Sequence, residues 1–152
     1  IGFCLVGSEM CIRDSRIAGP LPGIFTFLGD FLKGFIPIYL LAEQNLVTAY
    51  IFSLFILLGH MFSVFNNFKG GKGVATSFGF VLALDFQIGL AVLITWGFVF
   101  LLKKISGLSA IISFLFLPLI TFFVSNSQVF FLLSILHSII ILLNHHKNIR
   151  EC

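Results

Sequence analysis

Long apolar runs separated by short polar breaks make up most of this chain of 152 residues. The runs cover residues 24–42, 46–65, 74–102, 108–124 and 129–143. A helix needs about 20 apolar residues to cross the hydrocarbon of a bilayer, whereas strands of a membrane β-barrel show short segments of alternating polarity. The pattern therefore predicts an all-α fold, a polytopic bundle of transmembrane helices.

The run at residues 74–102 is too long for one ordinary crossing, and Asp85 and Gln87 interrupt it. We interpret it as two crossings, a short one that ends near Leu84 and a full one that begins near Ile88. The chain then has six crossings.

Basic residues support this count because the loops and ends that carry them all fall on one side of the membrane. They are Arg16, Lys69, Lys72, Lys103, Lys104, Lys147 and Arg150. The opposite connections, at residues 43–45, 85–87 and 126–128, contain no Lys or Arg. Under the positive-inside rule the basic side faces the cytoplasm, so we expect a cytoplasmic C-terminus.

Composition agrees with a membrane protein and narrows the chemistry. Hydrophobic residues make up 59% of the chain and charged residues 10%, with a mean hydropathy of +1.12, so no water-soluble surface can be assembled. The net charge of +3 is spread over short loops, which suits lipid headgroups and phosphorylated substrates and not nucleic acid. Cys4, Cys11 and Cys152 form no C-x-x-C pair and have no zinc-like spacing, so neither a disulfide framework nor a metal site is indicated. We also expect no cofactor.

The two ends of the sequence differ from its middle. It starts with Ile1 instead of Met, and the composition of residues 1–15 is foreign to that of the remaining chain. We interpret that segment as an adaptor-like scar and the stop after Cys152 as a truncation. Residues 16–152 are then expected to form a single integral membrane domain, truncated at both ends.

A glycine-rich loop at residues 68–76, Phe-Lys-Gly-Gly-Lys-Gly-Val-Ala-Thr, is the main clue to function. Glycines permit positive φ angles and let successive N–H groups converge on an anion, while lysines and the start of the next helix add positive charge. The spacing differs from that of a nucleotide P-loop, and a flexible turn alone would not need the lysines. We predict a phosphate site at the membrane surface. Its residues are Lys69, Gly70, Gly71, Lys72, Gly73 and Thr76.

Charged residues and histidines within the apolar runs are further candidates. Asp30 and Lys33 share a helical face, where a structural ion pair is the simpler interpretation and a supporting role at the site is the alternative. His60 precedes the loop by eight positions and has either a packing role or a site role. His137, without a nearby polar companion, is predicted to be a packing residue.

The polar segment at residues 144–150 comes directly after the last run. His145 and Asn148 lie three apart and share a face if the helix continues, so both could point into one pocket. A polar helix cap or a headgroup anchor would explain the segment as well.

These segments resemble a known family. Residues 59–76, from Gly59-His60 through the glycine-rich loop, are similar to the central motif of the bacterial acyl-phosphate:glycerol-3-phosphate acyltransferases, the PlsY family. Residues 23–34 resemble the second crossing of that family, and residues 145–149 resemble its C-terminal His-x-x-Asn-Ile motif. The resemblance covers residues 16–150.

The resemblance implies an enzyme of phospholipid biosynthesis in the bacterial inner membrane, with seven crossings and three cytoplasmic motifs that form one site. Such enzymes transfer a fatty acyl group from acyl phosphate to the 1-hydroxyl of glycerol 3-phosphate, giving lysophosphatidic acid and inorganic phosphate. The resemblance also implies a phosphate-binding role for Arg16, seven residues before Gly23. Because Ser63 replaces the family's proline and the opening of the first motif is missing, this chain by itself is expected to be inactive if these departures are genuine.

In the implied mechanism, the loop lysines and amides hold one phosphate, and Arg16 with His145 and Asn148 holds the other. Acyl phosphate is already activated, so neither a covalent intermediate nor a metal is required. The base for the glycerol hydroxyl is His145, His60 or a substrate phosphate oxygen, and the sequence leaves all three open.

Two other classes of protein fit part of the pattern. A small transporter of a phosphorylated solute would also carry basic loops, but it should show polar helix interiors and internal repeats, and the sequence has neither. A structural membrane subunit would tolerate loss of charge in the glycine-rich loop. The sequence does not indicate the oligomeric state or the acyl-chain preference.

Overall fold

The computed structural model describes residues 20–62 and 72–149, and within these it leaves aside the side chains of residues 20, 22, 23 and 146–149. All regular secondary structure in these segments is α-helical. The helices are α1 (Pro20–Ala42), α2 (Leu46–Met61), α3 (Val74–Leu84), α4 (Phe86–Lys103), α5 (Ser106–Val124) and α6 (Gln128–Ile149). The predicted all-α fold is confirmed, and the long run at residues 74–102 does divide at Asp85.

Four of the described helices, α1, α4, α5 and α6, are long and apolar enough to cross a membrane. Helix α2 has 16 residues and α3 only 11. At about 1.5 Å per residue, α3 is about 16 Å long, roughly half the thickness of the hydrocarbon core. All residues from 74 to 81 are buried, so the predicted short crossing is a short helix enclosed by its neighbours.

The polar residues that interrupt the apolar runs cap the helices that begin after them. The Asn45 side chain accepts hydrogen bonds from the amides of Val47 and Thr48, at 3.0 and 3.2 Å. Asp85 does the same for Gln87 and Ile88, at 2.8 and 3.2 Å. A cap satisfies N–H groups that the helix cannot pair itself, and in hydrocarbon such groups are costly.

Two glycines allow α1 and α3 to pack backbone against backbone. A Cβ atom on Gly34 would collide with the carbonyl oxygen of Thr76, and one on Gly79 would collide with the carbonyl oxygen of Phe31. Small residues at such crossings let membrane helices approach closely, because lipid supplies no hydrophobic force between them. The contact fixes the position of the first turn of α3, directly after the glycine-rich loop.

A proline in α5 is compensated by a serine in α6. Pro118 has no N–H group, so the carbonyl of Phe114, four residues earlier, loses its donor within the helix. The Ser138 hydroxyl donates to that carbonyl at 2.6 Å. This hydrogen bond joins α5 to α6. It supplies the partner that the proline took away, and such replacement by a neighbouring helix is one way in which membrane helices tolerate proline.

The core of the bundle lies around α3, whose aromatic side chains meet those of its neighbours. Phe78 packs against Trp96 and Phe114, with ring centroids 6.1 and 5.3 Å apart. Phe80 and Phe114 are fully buried, whereas the outer faces of the longer helices expose large apolar side chains such as Phe123. An apolar outer surface around a buried short helix is the arrangement expected in lipid.

Candidate active site

The first turn of α3 forms one wall of the candidate site. Gly73 precedes the helix with a φ of 76°, a left-handed conformation that favours glycine. The first amide to bond within the helix is that of Ser77, which donates to the Gly73 carbonyl at 2.9 Å. The preceding N–H groups of Val74, Ala75 and Thr76 have no acceptor in the helix, and these residues are buried. Such a turn offers converging donors to an anion.

A side-chain hydroxyl accompanies these amides. Thr76 is 1% exposed, and its Oγ1 atom has no hydrogen-bond partner within the described part of the chain. Because an unpaired buried hydroxyl costs free energy, it favours a ligand that accepts a hydrogen bond. Thr76 thus adds a donor to the amides of its own turn.

Helix α6 contributes His145, which is fully buried. Its Nδ1 atom is 2.9 Å from the carbonyl oxygen of Ile141, one turn earlier. A carbonyl oxygen only accepts, so Nδ1 carries the hydrogen and the neutral ring leaves a lone pair on Nε2. That Nε2 atom is buried and has no partner among the residues whose side chains are described. The ring is therefore held with Nε2 as its acceptor nitrogen.

Lys72 brings positive charge to the same place. It lies close enough to His145 for its ammonium group to act electrostatically on the imidazole. The structure thus joins the end of the glycine-rich loop to the C-terminal motif, although 73 positions separate the two residues in the sequence.

Apart from His60, the other predicted site residues divide into two groups. Gly73 and Thr76 lie at the start of α3, next to Lys72 in sequence. The rest fall outside the part that the structure describes, and for Asn148 this applies to the side chain. These residues are Arg16, Lys69, Gly70, Gly71 and Asn148.

His60 contacts Asp30, a residue of α1 that is distant from it in the sequence. Its Nδ1 atom lies 3.8 Å from Oδ1 of Asp30, and the predicted pair of Asp30 with Lys33 is present at 3.6 Å. The Lys33 side chain is 71% exposed, whereas those of Asp30 and His60 are 11% and 16% exposed. Asp30 therefore links α1 to α2 through His60, the less exposed of its two partners.

His137 is a packing residue, as predicted, and it also has a polar partner that the sequence did not indicate. Its Nε2 atom lies 3.0 Å from Oγ of Ser77, in the first turns of α3. The ring does pack between Phe80 and Phe114, with centroids 4.8 and 5.2 Å away. Sequence offered no signal for the hydrogen bond, since 60 positions separate its partners.

Comparison with known proteins decides the family. The model of the family described as "Glycerol-3-phosphate acyltransferase" matches residues 14–152. The chain belongs to this family. A glycerol-3-phosphate acyltransferase of Fusobacterium nucleatum is 38% identical over 136 residues, which cover 88% of this chain and 70% of that relative. One from Trichlorobacter lovleyi is 36% identical over 137 residues, with the same coverage of 88% and 70%.

Solved structures of this family have the same fold. Crystal structures of PlsY, an integral membrane glycerol 3-phosphate acyltransferase, in its lysophosphatidic acid and glycerol 3-phosphate forms, superpose with a TM-score of 0.83. Each is 31% identical and covers 92% of this chain, which spans 73% and 72% of the two solved chains. The predicted resemblance is confirmed: this family member is a multi-pass membrane acyltransferase. The transporter alternative receives no support.

Proposed function

We propose that this acyltransferase moves a fatty acyl group from acyl phosphate to the 1-hydroxyl of glycerol 3-phosphate. The bond between the hydroxyl oxygen and the acyl carbon forms while the bond from that carbon to the phosphate oxygen breaks. The hydroxyl proton leaves with the base, and the products are lysophosphatidic acid and inorganic phosphate. Membership of the family supports the acyl transfer, and the glycerol 3-phosphate form of the PlsY neighbour supports the acceptor.

The observation that carries the proposal is that Lys72, next in sequence to the open first turn of α3, lies within electrostatic reach of His145. Both substrates carry phosphate, and their mutual repulsion has to be offset before they can react. Amides of a helix N-terminus, the Thr76 hydroxyl and a lysine provide for one phosphate. We assign the other phosphate to Arg16 and Asn148. The predicted share of His145 in holding it is not retained, because the Nδ1–H of its neutral ring is taken up by the Ile141 carbonyl and Nε2 is an acceptor.

His145 is proposed as the residue that receives the hydroxyl proton or accepts a hydrogen bond from it. Its Nδ1–H is fixed on the Ile141 carbonyl, so Nε2 has the free lone pair that a base needs. His60, which is held by Asp30, is the second candidate, and a phosphate oxygen of a substrate is the third. With both substrates held, their encounter becomes an effectively intramolecular step.

We place the site at the cytoplasmic face of the inner membrane, with residues 16–152 as one domain. Lys72, Lys103 and Lys104 lie at helix ends on the basic side of the predicted topology, whereas Asp85 caps α4 at the opposite end of α3. The positive-inside rule supports this orientation.

The test is phosphate release by the purified chain in lipid nanodiscs. With palmitoyl phosphate and glycerol 3-phosphate together, we expect inorganic phosphate and lysophosphatidic acid in equal amounts, and with either substrate alone, neither product. The complete Fusobacterium nucleatum relative is assayed beside it as a positive control. Labelled glycerol 3-phosphate that accumulates in vesicles without product would favour a transporter instead.

Two lysine variants test the site itself. Lys72→Ala should lower kcat/KM about 10- to 100-fold, since hydrogen bonds to charged groups contribute about 1.5–3 kcal/mol. Lys104→Ala, which removes the same charge at the end of α4, should stay within about twofold of the parent. Equal kinetics for the two variants would remove Lys72 from the site.

A further inference from the structure

Two adjacent residues of α6 tie this helix to two different neighbours. His137 bonds to Ser77 of α3 at 3.0 Å, and Ser138 donates to the Phe114 carbonyl of α5 at 2.6 Å. His137 and Ser77 are fully buried, and Ser138 is 4% exposed. The bond to Phe114 has a local explanation in Pro118, whereas nothing in the backbone calls for the bond between His137 and Ser77.

The ring of His137 is enclosed on both sides of this bond. Its Nδ1 atom is buried and has no partner within the described segments, and the ring lies between those of Phe80 and Phe114. Which partner donates in the bond to Ser77 depends on the tautomer of the ring, and either direction ties α6 to α3.

The bond to Ser77 lies in line with His145. His137, Ile141 and His145 are spaced by four residues on one face of α6, and all three are fully buried. His145 lies about 12 Å farther along this helix than His137. On the facing element, Ser77 bonds to His137, and Lys72, five residues earlier, lies near His145. The start of α3 is thus linked to the middle of α6 by the hydrogen bond of His137 and acts electrostatically on His145 near the end of α6.

We propose that His137 is a positioning residue for acyl transfer. The first turn of α3 is held by α1, and through Ser77 His137 fixes α6 against that turn, so that His145 keeps its place near Lys72 and the open amides. This rests on the proposed function for its kinetic consequence, but not for its structural one. A displacement of His145 by about 1 Å, through sliding or rotation of α6, would lower the rate of acyl transfer, since misplacement of that size can cost about 100-fold.

The kinetic experiment compares four variants in nanodiscs, with rates expressed per folded protein. His137→Leu and Ser77→Ala each remove the bond, and we expect kcat/KM for glycerol 3-phosphate to fall at least about tenfold. His137→Gln keeps a donor near the position of Nε2 and should restore most of that loss. Ser138→Ala, one position along the same helix, should lower thermal stability and leave kcat and KM unchanged.

A double variant and hydrogen exchange complete the test. Ser77→Ala with His137→Leu should have the kinetics of either single variant, because both remove one interaction. Amide exchange in the peptide of residues 72–80 should be faster in Ser77→Ala and His137→Leu than in the parent, and unchanged in Ser138→Ala.

The outcomes separate this inference from the proposed function. If the complete Fusobacterium nucleatum relative transfers no acyl group from palmitoyl phosphate, the proposed function fails. If only the parent chain is inactive, its departures from the first motif are the cause, and in both cases the exchange pattern still supports or overturns the role of His137. Additive losses in the double variant would overturn it, as would equal exchange in all variants or unchanged kinetics in the folded fraction of His137→Leu and Ser77→Ala.

Discussion

Replacement of Gly34 by alanine is the most direct test of how the bundle holds its site. The new methyl would collide with the Thr76 carbonyl oxygen, with the carbonyl carbon at 3.1 Å and Thr76 Cγ2 at 3.2 Å. Overpacking costs about 1–3 kcal/mol, and a helix backbone, unlike the end of a side chain, cannot rotate away. We therefore expect the free energy of unfolding to fall by about 2–3 kcal/mol.

The matched control lies on the same helix. A methyl on Gly29 would meet nothing within 4 Å, so Gly29→Ala should stay within about 0.5 kcal/mol of the parent. The free energy of unfolding of both variants is measured at equilibrium in mixed micelles of increasing SDS content. Near-UV circular dichroism is the signal for tertiary packing.

A second readout connects this packing to the site. Gly34→Ala pushes on the residue that carries the Thr76 hydroxyl, so kcat/KM of the folded protein should fall at least about tenfold, whereas Gly29→Ala should have parental kinetics. If Gly34→Ala matched Gly29→Ala in stability, the close crossing of α1 and α3 would be refuted. If it lost stability but kept its kinetics, the first turn of α3 would not belong to the site.

Three further substitutions test separate features, each by the same unfolding assay. Gly73→Ala should cost about 1–2 kcal/mol because φ is 76°, and it should raise KM for glycerol 3-phosphate; unchanged values would contradict the left-handed turn. Asp85→Ala should cost about 0.5–2 kcal/mol through loss of the α4 cap, with parental kinetics; an effect on KM would speak against a purely capping role. Ser138→Ala should cost about 1–3 kcal/mol by leaving the Phe114 carbonyl unpaired. Its cost should be smaller in a Pro118→Ala background, where α5 regains its own donor, and equal costs in both backgrounds would refute the compensation.

The sequence could nominate most of the candidate site residues because they lie in compact segments. The glycine-rich loop and the C-terminal motif each lie within ten consecutive positions, and the resemblance of both to one family pointed to a shared function. The spacing could not tell which members face one another. Lys72 lies within electrostatic reach of His145, while His60 of α2 faces Asp30 of α1.

The hydropathy pattern by itself determined the six helices, their order and the break at Asp85, because the cost of exposing backbone to hydrocarbon acts on each segment separately. Only the tertiary structure decided the close crossing at Gly34 and Gly79 and the bond from His137 to Ser77. These contacts depend on the rotation and depth of one helix relative to another. Helix packing in lipid is set by shape and by a few polar groups, and no local sequence pattern encodes either across 60 residues.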